Sequence, residues 1–323
     1  IEAVGSQTDP IVFTSSRDVP RPGDWGGIFL LGDASVNKLS EKNILRKGLK
    51  SYAPDNLVYG GSNAESNSGI MDYVRIEYAG KRTKDFGFFD ALSLYAVGKQ
   101  TKVSNIMMSF SKGNSLYVSG GELDLSHMVS FKASRSDFNF DYGTQVDFTN
   151  SLAVRSPYET ASNGPASLYV SSQSNSSEAD FYKVETKVNA SNITLMNLSN
   201  DIKGDIEVGL VHEAVFVDSK TTLHMEKSVI SGFKPAVIFD RDIRLNDANL
   251  QRLKFTQMYF NNCVGNIFVE NNEDLENWYG NGSFQNVYYP NGEDSKTFID
   301  TKNLRDPDFR LRINKIIAAS GSN

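Results

Sequence analysis

The chain has 323 residues, a net charge of −6 and 22% charged residues, without long blocks of one sign. This composition argues against a nucleic-acid partner and against a disordered acidic tail. The longest apolar runs are shorter than the roughly 18 residues that a membrane-spanning helix needs, so we expect no transmembrane segment.

Short strand-like runs recur about every 22 residues over most of the chain, as is typical of a solenoid whose repeats bury their apolar faces only when stacked. Within the runs apolar and polar residues alternate, so that Leu123 and Leu125 should point inward and Asp124 outward. In chain order the runs are Asp72–Ala79, Ala91–Val97, Thr101–Val103, Asn105–Ser111, Ser115–Gly120, Glu122–Leu125, His127–Ala133, Phe138–Gly143, Gln145–Phe148, Asn150–Arg155, Ser167–Ser171, Lys187–Ala190, Asn192–Ser199, Ile206–Val217, Ala236–Asp240, Leu253–Phe260 and Asn266–Glu270.

Polar residues open successive repeats at Asn105, His127, Asn150 and Asn192, with separations of 22, 23 and 42 residues. Such side chains suit a bend between strands, because they bond to local backbone and tolerate unusual dihedral angles. We expect them to stack as a ladder along the solenoid. The alternative is coincidence in a chain rich in Ser and Asn.

The tripeptide Ser-Leu-Tyr occurs at Ser93–Tyr95, Ser115–Tyr117 and Ser167–Tyr169. If the middle runs are equivalent, their tyrosines point outward and form a stripe that suits contacts with sugars or proteins. The alternative is that the rings only stabilise the sheet by stacking on neighbouring repeats. The tyrosines concerned are Tyr95, Tyr117, Tyr142 and Tyr169.

These patterns predict an all-β fold, a single-stranded parallel β-helix with three sheets and about eight turns stacked at about 4.8 Å. We expect the β-helix domain to cover residues 1–272 and an irregular C-terminal cap to cover 273–323, with a separate binding lobe as the alternative for the tail. Insertions at Lys38–Asn67, Pro157–Pro165 and Ser171–Thr186 should project as loops.

Catalytic motifs are scarce. Glycoside hydrolysis usually needs two placed carboxylates, and lyases of this fold use calcium held by several carboxylates with Arg or Lys as base. Here Asp-Asp, His-Gly and Arg-Ile-Lys motifs are missing. The candidates that neighbouring runs bring closest are acids that either line one face with Arg135 or are simply solvated: Asp124, Asp137, Asp141 and Asp147.

Residues with metal or nucleophile chemistry give no site in this sequence. The three histidines, His127, His212 and His224, lack metal-ligand spacing, and Gly-x-Ser-x-Gly is missing. The lone cysteine, Cys263, allows no disulfide framework and is interpreted as a small buried apolar residue. We therefore predict neither a metal centre nor a cofactor.

Several N-terminal motifs together resemble a family of right-handed β-helix proteins that Bacteroides-type bacteria display as surface lipoproteins. The resemblance covers about residues 1–150. Of the acidic pairs that are frequent in that family, only Asp137 and Asp141 remain here. The matching segments are Pro10–Ser15 (PIVFTS), Pro22–Ile28 (PGDWGGI), Tyr73–Gly80 (YVRIEYAG), Asn105–Ser109 and the Gly120-Gly121 pair.

The resemblance implies a right-handed helix and a location outside the cell or on the outer membrane. Family members carry a further strand before the equivalent of Ile1, which implies that a lipid anchor belongs to a preceding segment. It implies no particular activity.

Our functional prediction is a surface module, more readily non-catalytic than enzymatic, that contacts a polysaccharide or a surface protein through a sheet face and inserted loops. A diverged polysaccharide lyase or glycoside hydrolase and a purely structural stalk are the alternatives. The candidate ligand-binding residues are Tyr95, Tyr117, Tyr142, Tyr169, Arg135, Asp137 and Asp141.

Overall fold

The computed structural model describes residues 1–45, 57–159, 165–265, 267–268, 273–303 and 306–312. Parts of two predicted insertions (46–56 and 160–164), most of the predicted run at 266–270 and the end of the tail lie outside the described residues.

Short strands dominate the described chain, as expected from its aromatic and β-branched residues. The strands are β1 Glu2–Val4, β2 Ile11–Phe13, β3 Ile28–Leu31, β4 Asn43–Ile44, β5 Val58–Tyr59, β6 Ile70–Glu77, β7 Arg82–Thr83, β8 Gly87–Phe88, β9 Leu92–Tyr95, β10 Lys102–Ser109, β11 Leu116–Ser119, β12 Glu122–Phe131, β13 Phe138–Asp141, β14 Gln145–Arg155, β15 Leu168–Val170, β16 Lys187–Asn197, β17 Val215–Val217, β18 Thr222–Glu226, β19 Val229–Ser231, β20 Val237–Phe239, β21 Leu253–Thr256, β22 Tyr259–Asn261, β23 Ile267–Phe268, β24 Val287–Tyr289, β25 Phe298–Asp300 and β26 Asp308–Leu311. The helices are α1 Ile202–Glu207, α2 Asp247–Arg252, α3 Glu273–Tyr279 and α4 Asp294–Thr297, with a 3₁₀ turn at Gly282–Phe284.

Two large parallel sheets are built from successive turns of the chain, which we call rungs. The first runs in the order β1-β6-β10-β12-β14-β16-β19-β22-β24, and β2, β18 and β21 also pair within it. The second has eight strands, in the order β3-β9-β11-β13-β15-β17-β20-β23. The chain is a right-handed parallel β-helix, as predicted, and the eight strands of the second sheet correspond to the expected number of rungs.

The long strands of the first sheet bend in the middle and so cover two faces of the helix. The bend falls at Asn105, His127, Asn150 and Asn192, whose φ angles of 53°, 56°, 50° and 57° lie in the left-handed region. The predicted ladder is therefore confirmed, and Asn192 Nδ2 donates to Asn150 Oδ1 at 3.2 Å.

The same bend recurs at residues that the sequence did not single out. Tyr73, Lys227, Gln257 and Gln285 have φ angles of 50°, 49°, 54° and 54° and fall at the equivalent place in the strand register. Left-handed backbone is unfavourable for residues with a Cβ. The stacked backbone hydrogen bonds therefore impose this conformation at each rung.

The interior is a narrow apolar column made by the inward-pointing half of each strand. Leu116, Val118, Leu123 and Leu125 all point inward as predicted, and each is at most 2% exposed. Each such side chain stabilises the fold by about 1.5–3 kcal/mol relative to an exposed one. The column continues through all described rungs as one cluster.

Other described parts of the chain cover much of two of the three outer faces. At β3, β9, β11 and β13 the face of the second sheet lies under the insertions around residues 33–45, 57–62 and 172–184, which pack on Tyr95 and Tyr142. The face formed after the bend carries apolar residues that pack against the tail residues Phe298, Phe309 and Leu311. The described residues leave the face formed before the bend open.

The tail closes the end of the apolar column. Tyr279 of α3 is fully buried against Phe239 and Phe255, and its hydroxyl donates to the Leu253 carbonyl at 2.6 Å. Strand β24 pairs in parallel with β22, so stacking continues beyond the boundary predicted at residue 272. Strands β25 and β26 form an antiparallel hairpin. The described tail is therefore built of regular elements rather than being irregular.

Among the described residues, no helix has the length and hydropathy needed to cross a membrane.

Substitution at a ladder position tests the bend. His127→Val should destabilise the fold by about 1–2 kcal/mol, because a β-branched residue is disfavoured at positive φ. His127→Gly should cost much less, since glycine adopts this conformation readily. Urea unfolding of both variants is the measurement, and equal losses of stability would contradict the strain argument.

Candidate functional site

The predicted tyrosine stripe is wrong in register. Tyr95 pairs with Ser119 rather than with Tyr117, so the first Ser-Leu-Tyr copy is displaced by two residues from the second. Tyr117 and Tyr169 do share a column, with Asn139 between them. The repeated Ser-Leu-Tyr tripeptide suggested that Tyr95 and Tyr117 occupy equivalent positions on successive rungs, but the backbone pairing does not align them.

The stripe is also wrong in exposure. Tyr95 and Tyr142 are only 8% and 5% exposed, and Tyr117 and Tyr169 are half-buried. Lys38, at the start of the insertion Lys38–Asn67, has its Nζ 4.3 Å from the Tyr142 ring centroid. It also forms a 2.8 Å ion pair with Glu178 of the insertion Ser171–Thr186. Tyr95 and Tyr142 therefore pack under the insertions. Stacking on neighbouring rungs, the alternative considered from the sequence, is seen for Tyr169 with Phe216, and Tyr95 contacts Tyr117 edge to face.

Asp137 lies in a buried polar network rather than on a surface. Its carboxylate accepts hydrogen bonds from Ser130 Oγ, from Ser167 Oγ at 2.6 Å and from Arg155 Nε at 2.9 Å. Arg135 is half-buried, and its carbonyl accepts from Arg155 Nη2. Because Asp137 is fully buried, this ion pair is structural and inaccessible to a ligand.

Asp141 is buried beneath the insertion at Ser171–Thr186. It accepts hydrogen bonds from Ser174 Oγ, from the Ser174 amide at 3.4 Å and from the Tyr142 amide at 2.7 Å. Burial raises the pKa of Asp141 to about 7, and these hydrogen bonds oppose the increase only in part. The carboxyl group therefore ties the insertion to the helix.

The four acids considered for a common site are divided by the fold. Asp124 and Asp147 are exposed on the face before the bend, whereas Asp137 and Asp141 are fully buried elsewhere. Neither the catalytic grouping with Arg135 nor the interpretation of all four acids as solvated is correct.

The uncovered face is the candidate site, and we call it the open face. Its outward side chains come from the first parts of β12, β14 and β16 and from β18 and β21. They are Glu122, Asp124, Ser126, Gln145, Asp147, Thr149, Lys187, Asn189, Ser191, Thr222, His224, Glu226, Lys254 and Thr256.

The central column of the open face changes from acidic to basic along the helix. Asp124 pairs in register with Asp147, which is followed by Asn189, His224 and Lys254 on the next rungs. Asn189 Nδ2 donates to Asp147 Oδ1 at 2.7 Å. Rungs in a parallel sheet lie about 4.8 Å apart, so hydrogen-bonding side chains repeat at that spacing.

Two adjoining clefts lie along this column. One, of about 320 Å³, is lined by Glu122, Asp124 and Lys187 among others. The other, of about 440 Å³, includes His224 and Lys254. Both clefts include Asp147 and Asn189, and together they form one trough that follows the helix axis.

His224 is the one imidazole on the described open face. Its Nε2 is buried without a hydrogen-bond partner. Burial, and then the charges of Lys254 and Lys187, lower its pKa, so the ring is neutral at physiological pH. A backbone group of Gln251 hydrogen-bonds to the ring, so His224 lines the cleft as a neutral imidazole held in place.

The described residues contain no group of three or more His, Cys, Asp or Glu side chains placed to hold a metal ion. The side chains of the open face offer hydrogen bonding and charge. Asp124 and Asp147 are stacked carboxylates, with Lys187 in the same cleft.

Sequence reasoning missed Lys187, Asn189, His224 and Lys254 as parts of one surface. The signal was present as polar residues alternating with apolar ones at 187–191 and 222–226. Finding it required the register across the insertion at 171–186, which the spacing alone does not supply.

Comparison of the sequence with family models identifies a matching family. A model described as a pectate-lyase-like β-helix domain matches residues 1–301. The chain belongs to this family. Membership in the pectate-lyase-like family supports a carbohydrate-related β-helix module. Neither the curated proteins nor the solved structures compared with the chain include a significant match.

The buried ion pair gives one prediction for this β-helix. Asp137→Asn leaves the Arg155 guanidinium without its counter-charge, and we expect a loss of about 3–5 kcal/mol in the free energy of unfolding. Asp124→Asn on the open face is the matched control and should change stability by at most about 0.5 kcal/mol. Equal unfolding midpoints in urea for the two variants would refute the structural role of Asp137.

Asp141 gives a prediction for pH dependence. Its pKa is raised from 3.8 to about 7 on folding, so the folded chain keeps a proton that the unfolded chain releases. This contribution to stability is complete below the unfolded pKa and is lost as pH rises through about 7. Asp141→Asn can keep the hydrogen bonds to Ser174 and Tyr142, and should weaken the fall in stability between pH 5 and 8.

The measurement is urea unfolding across this pH range. Asp90, whose pKa burial raises to about 6, supplies a remaining slope of the same sign in both proteins. An identical pH profile for Asp141→Asn and the unaltered chain would show that Asp141 is not the group that titrates.

Proposed function

We propose that the open face binds a polysaccharide without cleaving it. The observation that carries this proposal is that insertions and tail cover much of the other two faces, while the described part of this one presents a polar trough. A trough along the helix axis suits an extended chain better than a compact ligand. One set of hydrogen-bonding side chains every 4.8 Å or so is comparable to the length of a sugar unit.

The composition of the trough favours a glycan over a protein partner. The cores of protein interfaces are enriched in aromatic residues, Met and Arg. The described residues that line the two clefts include no Tyr, Trp, Phe or Arg and one Met, the buried Met225, and most are charged or hydrogen-bonding groups. Carboxylate, amide, imidazole and ammonium groups together match the mixed donors and acceptors of sugar hydroxyls.

A non-catalytic role is supported by the position of the perturbed acids. A general acid in glycoside hydrolysis is a carboxyl group with a raised pKa. Asp90 and Asp141 have such pKa values, about 6 and about 7, but neither lines the clefts. Both are buried instead, Asp90 beside Asn114 and Asp141 beneath an insertion.

One observation favours the enzymatic alternative. Asp124 and Asp147 are direct neighbours on successive rungs, and Lys187 shares their cleft. Two carboxylates and a base are the parts that hydrolases or lyases use. Assays for bond cleavage therefore belong to the same experiment as the binding assay.

We also propose that the module acts outside the cell or at its surface. The support is the resemblance of residues 1–150 to surface lipoproteins, together with a polysaccharide ligand, which is a typical extracellular material. A structural stalk would need no such trough.

A glycan array, followed by titration of the best hits, tests the proposal. The double variant Asn189→Ala, His224→Ala removes two hydrogen-bonding groups from the trough and should weaken binding about tenfold or more. Lys203→Ala, an exposed change in α1, is the matched control and should leave affinity unchanged.

Incubating each hit with the protein separates the two functions. Intact glycan after prolonged incubation is expected. Release of reducing ends or of unsaturated ends would overturn the non-catalytic assignment, and equal affinity of the double variant and the control would overturn the assignment to the open face.

A further inference from the structure

A second pocket lies at the corner between the open face and the insertion-covered face, and we call it the corner pocket. Its volume is about 410 Å³, within the range of small-molecule sites. Its described lining is Ser35, Val36, Asn37, Glu41, Gly61, Ser62, Gly143, Tyr182, Lys183 and Val184. None of these residues lines the clefts of the open face.

The walls of the corner pocket are held in place by the backbone. The Asn37 amide donates to the Tyr142 carbonyl at 2.8 Å, and the Asp180 amide donates to the Asn37 carbonyl at 3.2 Å. Lys183 Nζ donates to the Lys38 carbonyl at 2.5 Å. The insertions that form the pocket are therefore bonded to each other and to the helix.

Gly143 shows how closely the floor is packed. A Cβ at this position would lie 2.7 Å from the Val184 carbonyl oxygen and 2.9 Å from Asn37 Cβ, and its φ is 85°. Glycine is therefore required where the insertion at Ser171–Thr186 crosses the β-helix. The pocket is a built feature of the fold rather than a gap between loose loops.

Asn37 bordering the pocket has an unused polar group. The residue is only 4% exposed, and its Oδ1 has no hydrogen-bond partner although both backbone groups are bonded. Leaving a buried acceptor unpaired is unfavourable. A ligand that brings a hydroxyl donor to the floor of the pocket would relieve this cost.

Tyr182 offers an apolar contact in addition to the polar one at Asn37. Its side chain is fully exposed to solvent at the pocket, with Val36 and Val184 as apolar neighbours. An exposed aromatic ring gains most from a flat apolar surface stacked on it, and the faces of pyranose rings offer such a surface of C–H groups.

Charge decides which sugars fit. Glu41 and Lys183 both border the pocket; Glu41 is exposed, and the Lys183 ammonium donates to the Lys38 carbonyl, which is an uncharged acceptor. A carboxylate repels anionic groups and accepts hydrogen bonds from hydroxyls. Together with the Lys183 ammonium it leaves the described lining without net charge, which suits a neutral sugar and gives no net attraction to uronates or sulfated sugars.

We propose that the corner pocket is a binding subsite for a neutral pyranose, which stacks on Tyr182 and donates hydroxyl hydrogen bonds to Asn37 and Glu41. The site goes beyond the proposed function of the open face. It binds whether or not the open face does, because the two share no lining residue.

Saturation-transfer NMR on the full chain tests this inference. The probes are glucose, galactose, mannose and N-acetylglucosamine, with glucuronate as the anionic comparison. We expect saturation transfer to ring protons of at least one neutral sugar, and weaker transfer to glucuronate. Tyr182→Ala should weaken the affinity about tenfold or more, whereas Tyr182→Phe retains the ring and should bind normally.

Two controls make the outcome specific. Tyr158→Ala removes another exposed tyrosine, and Asn189→Ala, His224→Ala disables the open face; neither should change transfer to the monosaccharide. Because Tyr182 is fully exposed, its removal does not threaten folding. No transfer to any neutral sugar, equal affinity in Tyr182→Ala, or equal binding of glucuronate and glucose would overturn the proposal.

Discussion

Backbone hydrogen bonding between parallel rungs is the constraint on which the rest of the structure depends. It fixes which residues stack, and it forces a left-handed conformation at the same place in each long strand, even at Tyr73 and Lys227, which have no special aptitude for it. The bend turns one sheet into two faces and lets the apolar column close. Without this register no surface on the molecule would have a defined composition.

The covering of faces then decides where a ligand can bind. Each outer face consists of side chains stacked in columns on successive rungs, and much of two of the three faces is used for internal packing. Tyr142 illustrates this, because Lys38 lies over its ring and the insertion closes above it. Function is therefore assigned to the face before the bend, which the described residues leave in contact with solvent, and to the corner where the insertions meet it.

Buried carboxylates hold these covers and are easily mistaken for site residues. Asp137 is paired with Arg155 inside the β-helix. The pKa of Asp141 is raised because this residue is buried under the insertion at Ser171–Thr186. Perturbed acids often mark functional sites, but structural networks perturb them as well. In this β-helix the acids that remain available to a ligand, Asp124 and Asp147, are the exposed ones.

The sequence by itself determined the solenoid, the inward positions such as Leu116 and Leu125, and the bend ladder, because short-range alternation and period follow directly from strand geometry. It did not determine exposure. Tyr95 and Tyr142 were predicted on the surface and are buried, since an outward side chain can be covered by a loop far away in the chain. That Lys187 and Lys254 lie on the same face is visible only from the strand pairing in the structure. Insertions of variable length hide the spacing between rungs in the sequence.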